Sequence, residues 1–231
     1  MQLKKLFKWT RRILLWAFIL QFVYILLIWV FNPPITLTQL GSVLGGQGLK
    51  RDYVSYSSMS PYAPLAVMAA EDQLFPDHNG FDWKSIEKAM AYNKRKPGRV
   101  RGASTISQQV AKNVFLWQGR SWVRKGFEVY FTFMIELLYS KRRIMELYLN
   151  VAQMGDGIYG IEAASRAYFG KSASKLTRAE AAQIASCLPN PVRFPVKPMS
   201  KYVARRYPWV MRQMNNLEGD PEVQQLLGSA K

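Results

Sequence analysis

The chain has 231 residues, 49% of them hydrophobic, which is enough to fill one sizeable core beside an anchor but not two full domains. Its single cysteine excludes an intramolecular disulfide, and its single histidine excludes a multi-histidine metal site. The formal net charge is +17, and residues 1–31 carry only five of the basic groups and no acid, so the remainder is itself strongly basic. That balance favours polyanionic partners (nucleic acid, anionic lipid headgroups or phosphorylated substrates) without choosing among them.

Residues 1–12 form a basic tail containing Lys4, Lys5, Lys8, Arg11 and Arg12. Residues 13–31, ILLWAFILQFVYILLIWVF, are apolar except for Gln21 and long enough to cross a hydrocarbon core as a helix. The far flank, 32–49, has no positive charge, so the basic side is expected in the cytoplasm and the rest of the chain outside it. The run exceeds the h-region of a signal peptide, and Asn32-Pro33-Pro34 offers no small-x-small cleavage site. An extracytoplasmic location disfavours nucleic acid as the partner.

The segment 32–60 is rich in Pro, Gly, Ser and Thr and reads as a membrane-proximal linker that pairs or drapes locally as it leaves the membrane. From 61 to 231 the pattern is helical. Pro61 and Pro64 open a helix over LAVMAAEDQLF, Asp82 caps WKSIEKAMAYNKR, and KPGRVRG reads as a basic loop. The stretch from Ser121 to Tyr139 is apolar on nearly every side at 100° per residue and predicts a helix in the centre of the domain. Further helices are expected at KRRIMELYLNVAQ, GIEAASRAYF and TRAEAAQIASCL, the last with Thr177 and Glu180 at capping-box spacing. Two short helices around Pro208 and after Asp220-Pro221 complete the chain. No alternating strand pattern and no internal repeat is present, so the fold class is all-α.

Three segments can carry chemistry. Residues 71–82, EDQLFPDHNGFD, gather four acids and the only histidine at a helix end. Asp82 and His78 suit a cap and a loop tie as well as direct chemistry, whereas Glu71 follows the apolar run LAVMAA, where partial desolvation raises a carboxyl toward a useful base. In GASTISQQVAKN (102–113), Ser104, Gln108 and Lys112 fall on one helical face at i, i+4, i+8, which fits either a solvated face or donors for a sugar pyrophosphate. Arg124, Lys125 and Glu128 in RKGFE fit either an internal salt bridge or a functional site, because charges are costly in an apolar helix. Glu146, with Arg142 and Arg143 one turn before it, reads as structural, and Cys187 as a buried thiol.

Together these segments resemble the peptidoglycan glycosyltransferase family, whose domain is also the polymerising half of class A penicillin-binding proteins. Five motifs appear in order: EDQLFPDHNGFD (71–82), GASTISQQVAKN (102–113), RKGFE (124–128), KRRIMELYLN (141–150) and AEAAQIASCLPNP (179–191). The departures are Met145, where Leu is usual, and Ser107, where Thr is common. A chain ending at Lys231 leaves no room for a transpeptidase domain, so the monofunctional branch is expected.

The resemblance implies a lysozyme-like helical catalytic domain with a smaller membrane-proximal lobe, preceded by one transmembrane helix. It implies lipid II and the growing glycan strand as partners, with membrane lipids and proteins of cell division or elongation beside them. Glu71 then takes the role of general base, and Lys112, Arg120, Arg124 and Lys125 that of pyrophosphate ligands. Ser104, Gln108, Gln109 and Asn113 shape the donor site, and Asp72, Phe75 and His78 belong to the substrate-binding set. Glu128 joins the catalytic pair by holding a divalent cation, Mg2+ or Mn2+, or by orienting the cations around it. Two rivals remain: a membrane-tethered lysozyme-like hydrolase, which has no need of cations around a pyrophosphate, and a non-catalytic lipid-binding scaffold, for which Glu71→Gln is silent.

Overall fold

A computed structural model describes residues 2–96, 102–119 and 121–228. Two compact units result, Met1–Pro34 and Ile35–Lys231. The first consists of helix α1 (Gln2–Val30), whose stretch Lys4–Val30 is long and apolar enough to cross a membrane.

The second unit is built from ten helices among the described residues: α2 (Leu37–Leu44), α3 (Tyr62–Glu71), α4 (Trp83–Arg95), α5 (Ile106–Phe115), α6 (Trp122–Leu138), α7 (Lys141–Val151), α8 (Ile161–Phe169), α9 (Arg178–Cys187), α10 (Lys201–Leu217) and α11 (Pro221–Leu227). Most start where the sequence supplies a cap. Asp82 Oδ1 accepts from Ser85 N, Thr177 and Glu180 close a capping box, and Asp220 precedes Pro221 at the first turn of α11. The core is centred on α3, whose residues Ala63 to Ala69 are all buried and which packs against α9 and α10. Beside it α5 packs between α6 and α7.

Four expectations are revised. The stretch after Pro34, read as a locally pairing linker, also holds a helix: Thr36 and Gln39 close a capping box on α2, and Lys50–Arg51 form strand β1. That strand belongs to a small sheet with β2 (Gln153–Gly155) and β3 (Ile158–Tyr159), in the order β1-β3-β2, with β1 parallel and β2 antiparallel to β3. Strands of two or three residues are too short to show alternation. The side chain of Asn150 extends this pairing by accepting from Val54 N at 3.0 Å and donating to Val54 O at 2.9 Å.

Next, α3 ends at Glu71 rather than continuing to Phe75, because the Asp72 side chain is drawn to another element. Third, α10 runs unbroken through Pro208, which lacks one backbone donor but does not split the helix. Fourth, α6 is not a central helix. Glu128, Thr132 and Ile135 are buried, while Trp122, Val129, Phe133 and Leu137 share the opposite face and are exposed, Trp122 to 91%. The basic loop expected at 96–102 falls largely on residues 97–101, outside the described residues.

Candidate active site

Glu71 is the last residue of α3, where the chain leaves the packed core. Burial is the main influence on its carboxyl and raises its pKa above the ordinary 4.5, with Asp72 adding to the rise. Opposing contributions come from the Gln109 amide and the charges of Arg206 and Lys112. Gln109 Nε2 donates to Glu71 Oε2 at 3.0 Å, and Gln109 Oε1 accepts from the hydroxyl of Tyr148 at 3.2 Å. Arg206, on α10, donates through Nη2 to Ala70 O at 3.0 Å and stacks near Trp209.

Lys112 lies one turn beyond Gln109 on α5 and is half-buried. Burial lowers its pKa, while Glu128 and Glu71 both act to raise it, so the ammonium lies within electrostatic reach of both carboxylates. The first turn of α6 supplies the other cations. Ser121 caps the helix by accepting from Arg124 N. Arg124 Nε donates to Gly119 O at 2.8 Å and its Nη1 to Glu128 Oε2 at 2.8 Å, while Lys125 Nζ pairs with the other Glu128 oxygen. Glu128 is 3% exposed, and two cations compensate the cost of burying its charge.

The two readings of RKGFE therefore meet in one arrangement. Internal ion pairs form, and they hold Arg124 and Lys125 around a buried carboxylate whose charge Lys112 also feels. This fits Glu128 as the group that orients cations. It does not fit a divalent ion there, because both carboxylate oxygens are engaged by cationic side chains, and no group of three His, Cys, Asp or Glu residues suited to a metal occurs among the described residues. Chemically, the site offers a proton acceptor at Glu71 and, beyond Lys112, a set of cations able to stabilise a phosphate leaving group.

Other members of the expected set serve the frame. Asp72 is buried; its Oδ2 accepts from Ile106 N at 2.9 Å, and both its oxygens lie 3.0 Å from His78 Nε2. Gly80 N donates to His78 Nδ1 at 3.1 Å, so the ring proton sits on Nε2 and faces Asp72. Both side chains thus tie the loop 72–80 to the start of α5. Phe75 is fully buried, with Lys141 Nζ 4.8 Å from its ring centroid.

Gln108 is likewise buried, its Oε1 accepting from Thr105 N in a capping box, and it shapes the start of α5. Ser104 precedes the cap Thr105 and is exposed, so it does not continue the face of Lys112. Asn113 is half-buried on α5, and Arg120 lies outside the described residues. Glu146 pairs with Arg143 at 2.8 Å, as its spacing implies. Cys187 is buried, donates to Met154 O and has its thiol pushed up to about 12 by burial, which leaves it inert.

Sequence reasoning missed Tyr148 and Arg206. Tyr148 hides in the apolar pattern of α7, and Arg206 lies on α10 beyond the five motifs. The only signal for Arg206 was a cluster of Arg205, Arg206, Tyr202 and Trp209 at helical spacing.

A family model described as Transglycosylase matches residues 38–215 of the chain. Proteins described as biosynthetic peptidoglycan transglycosylase from Shigella boydii serotype 4 (strain Sb227) and from Escherichia coli (strain K12 / DH10B) are each 59% identical to it over 174 residues. The aligned region covers 75% of this chain and 72% of each relative.

Proposed function

The chain belongs to the transglycosylase family and is a peptidoglycan glycosyltransferase, and we propose that it polymerises lipid II into β-1,4-linked glycan strands with release of undecaprenyl pyrophosphate. The observation that carries this reading is the Arg124–Lys125–Glu128 cluster on α6, with Lys112 on α5 feeling the charge of both Glu128 and Glu71. Glu71 takes the proton of the acceptor 4-hydroxyl as that oxygen attacks the anomeric carbon of the donor. The bond to the pyrophosphate breaks on the opposite side, its electron pair leaves with the phosphate oxygen, and the configuration inverts. A general base supplies about 10² to 10⁴ of the rate. The fixed cations Lys112, Arg124 and Lys125 supply the complementary stabilisation where negative charge develops.

Hydrolysis is the weaker reading. A two-carboxyl hydrolase needs a second carboxylate free to act on the sugar or on a water beside it, and Glu128 is instead buried between two cations.

A lipid-linked substrate accounts for the rest of the molecule. Helix α1 serves as a single-pass anchor with its basic N-terminus in the cytoplasm and the catalytic domain outside. The apolar face of α6, with Trp122, Phe133 and Leu137, suits contact with membrane lipid. The basic surface attracts anionic headgroups and pyrophosphates.

The test is polymerisation of labelled lipid II by the full chain in detergent, with Glu71→Gln as the matched control. Strands made by the wild type and lost in the variant support the reading. Shortening of preformed glycan replaces it with hydrolysis, and lipid II binding without product replaces it with the scaffold.

A further inference from the structure

Tyr148 lies on α7 with its side chain in the core, 1% exposed, and its hydroxyl is directed at Gln109. A buried hydroxyl is retained where it has a partner, and this one meets an amide that itself meets the carboxylate of Glu71. The three groups form a chain running from α7 through α5 to the end of α3. We propose that Tyr148 is a positioning residue for the glycosyl transfer, acting through Gln109: by donating to Oε1 it turns the amide so that Nε2–H faces the Glu71 carboxylate. The inference rests on the reading of Glu71 as the base.

Orientation matters because an amide has two unlike ends. With Nε2 toward Glu71 it stabilises the carboxylate that must accept a proton; with Oε1 toward Glu71 it stabilises the protonated acid, which cannot. The phenol remains protonated throughout, since burial holds its pKa well above the ordinary 10.0. Aligned donors along such a chain also polarise one another, which strengthens the final bond to Glu71.

The other groups that bear on Glu71 are Asp72 at the same helix end, Lys112 on α5, Arg206 on α10 and the neutral thiol of Cys187 on α9. Asp72 pushes the carboxyl up, while Lys112 and Arg206 push it down, and none of the three bonds to the Gln109 amide. Tyr148 is therefore the group that sets which end of that amide Glu71 meets.

The experiment measures kcat/KM for lipid II polymerisation against pH in the full chain and in Tyr148→Phe, Gln109→Leu and the double variant, with Glu71→Gln alongside. Tyr148→Phe keeps the ring and removes only the hydroxyl. Its acid limb is expected to move to higher pH by about half a unit to one unit, so that activity below the limb falls roughly three- to tenfold. The double variant is expected to show no further displacement than Gln109→Leu alone, because Tyr148 acts through that amide. A Tyr148→Phe profile that superimposes on the wild type, or that is lowered equally at every pH, overturns the inference. Additive displacements in the double variant overturn it as well. Undiminished activity in Glu71→Gln instead removes the base itself, which separates that failure from this one.

Discussion

Arg124 donates to Glu128 at 2.8 Å from one turn earlier on α6, and the carboxylate it meets is 3% exposed. Lys125 takes the other oxygen, so two cations gather on a buried anion at the start of a helix whose opposite face is apolar and open. An isolated salt bridge needs one cation. The second cation, together with Lys112 nearby, gives the cluster capacity for a further anion, the role the leaving pyrophosphate fills.

Glu128→Gln is therefore expected to reduce both activity and stability. Removing the carboxylate leaves Arg124 and Lys125 repelling each other, with Arg124 largely enclosed. The cost is about 3 kcal/mol, at the lower end for a broken buried pair because Lys125 reaches water. Denaturant unfolding of the detergent-solubilised chain measures it, and an unchanged midpoint refutes the assignment.

Glu71→Gln separates activity from stability. Polymerisation is expected to fall by about 10² to 10⁴. The folded-state pKa of Glu71 is raised, so its protonated form stabilises the fold at low pH and that contribution is lost as pH rises through the folded value. A glutamine cannot ionise, so the variant should unfold at a higher Tm than the wild type near neutral pH. A lower Tm contradicts the desolvated carboxylate.

The pH dependence of kcat/KM should be bell-shaped. Glu71 works ionised and its pKa is raised by burial, so the rate climbs through a limb above 4.5. Lys112 works protonated and its pKa is lowered by burial, so the rate declines through a limb below 10.5. Lys112→Arg keeps the charge at all accessible pH and should move the alkaline limb upward; a limb that stays in place assigns it to another group.

Two neighbours on α6 test which side of that helix faces the core. Ile135 is fully buried, and Ile135→Ala should cost about 2–5 kcal/mol. Phe133 is 59% exposed, and Phe133→Ser should change stability by no more than about 0.5 kcal/mol in detergent. Equal losses at both positions restore the central helix that the apolar pattern implied.

Local signals were legible in the sequence because their physics is local. Nineteen residues of apolar run announce α1, and Asp82, Thr177 with Glu180, and Asp220-Pro221 place helix starts through bonds spanning three residues or fewer. The ordered motifs likewise identified the family and the charged residues Glu71, Lys112, Arg124, Lys125 and Glu128 that the fold brings together.

Only the tertiary structure decided which polar residues of those motifs are struts. Asp72 turns inward where Ile106 N, from another helix, needs an acceptor, His78 turns to Asp72, and Gln108 turns back to cap its own helix. The same holds for α6, whose all-round apolarity fits a core helix and an exposed apolar face equally well until its neighbours are known. Tyr148 reaches Gln109, the partner of Glu71, and Arg206 reaches Ala70, the residue before it, from distant helices, Arg206 bonding 136 positions away along the chain, so their contribution comes from packing that no local pattern encodes.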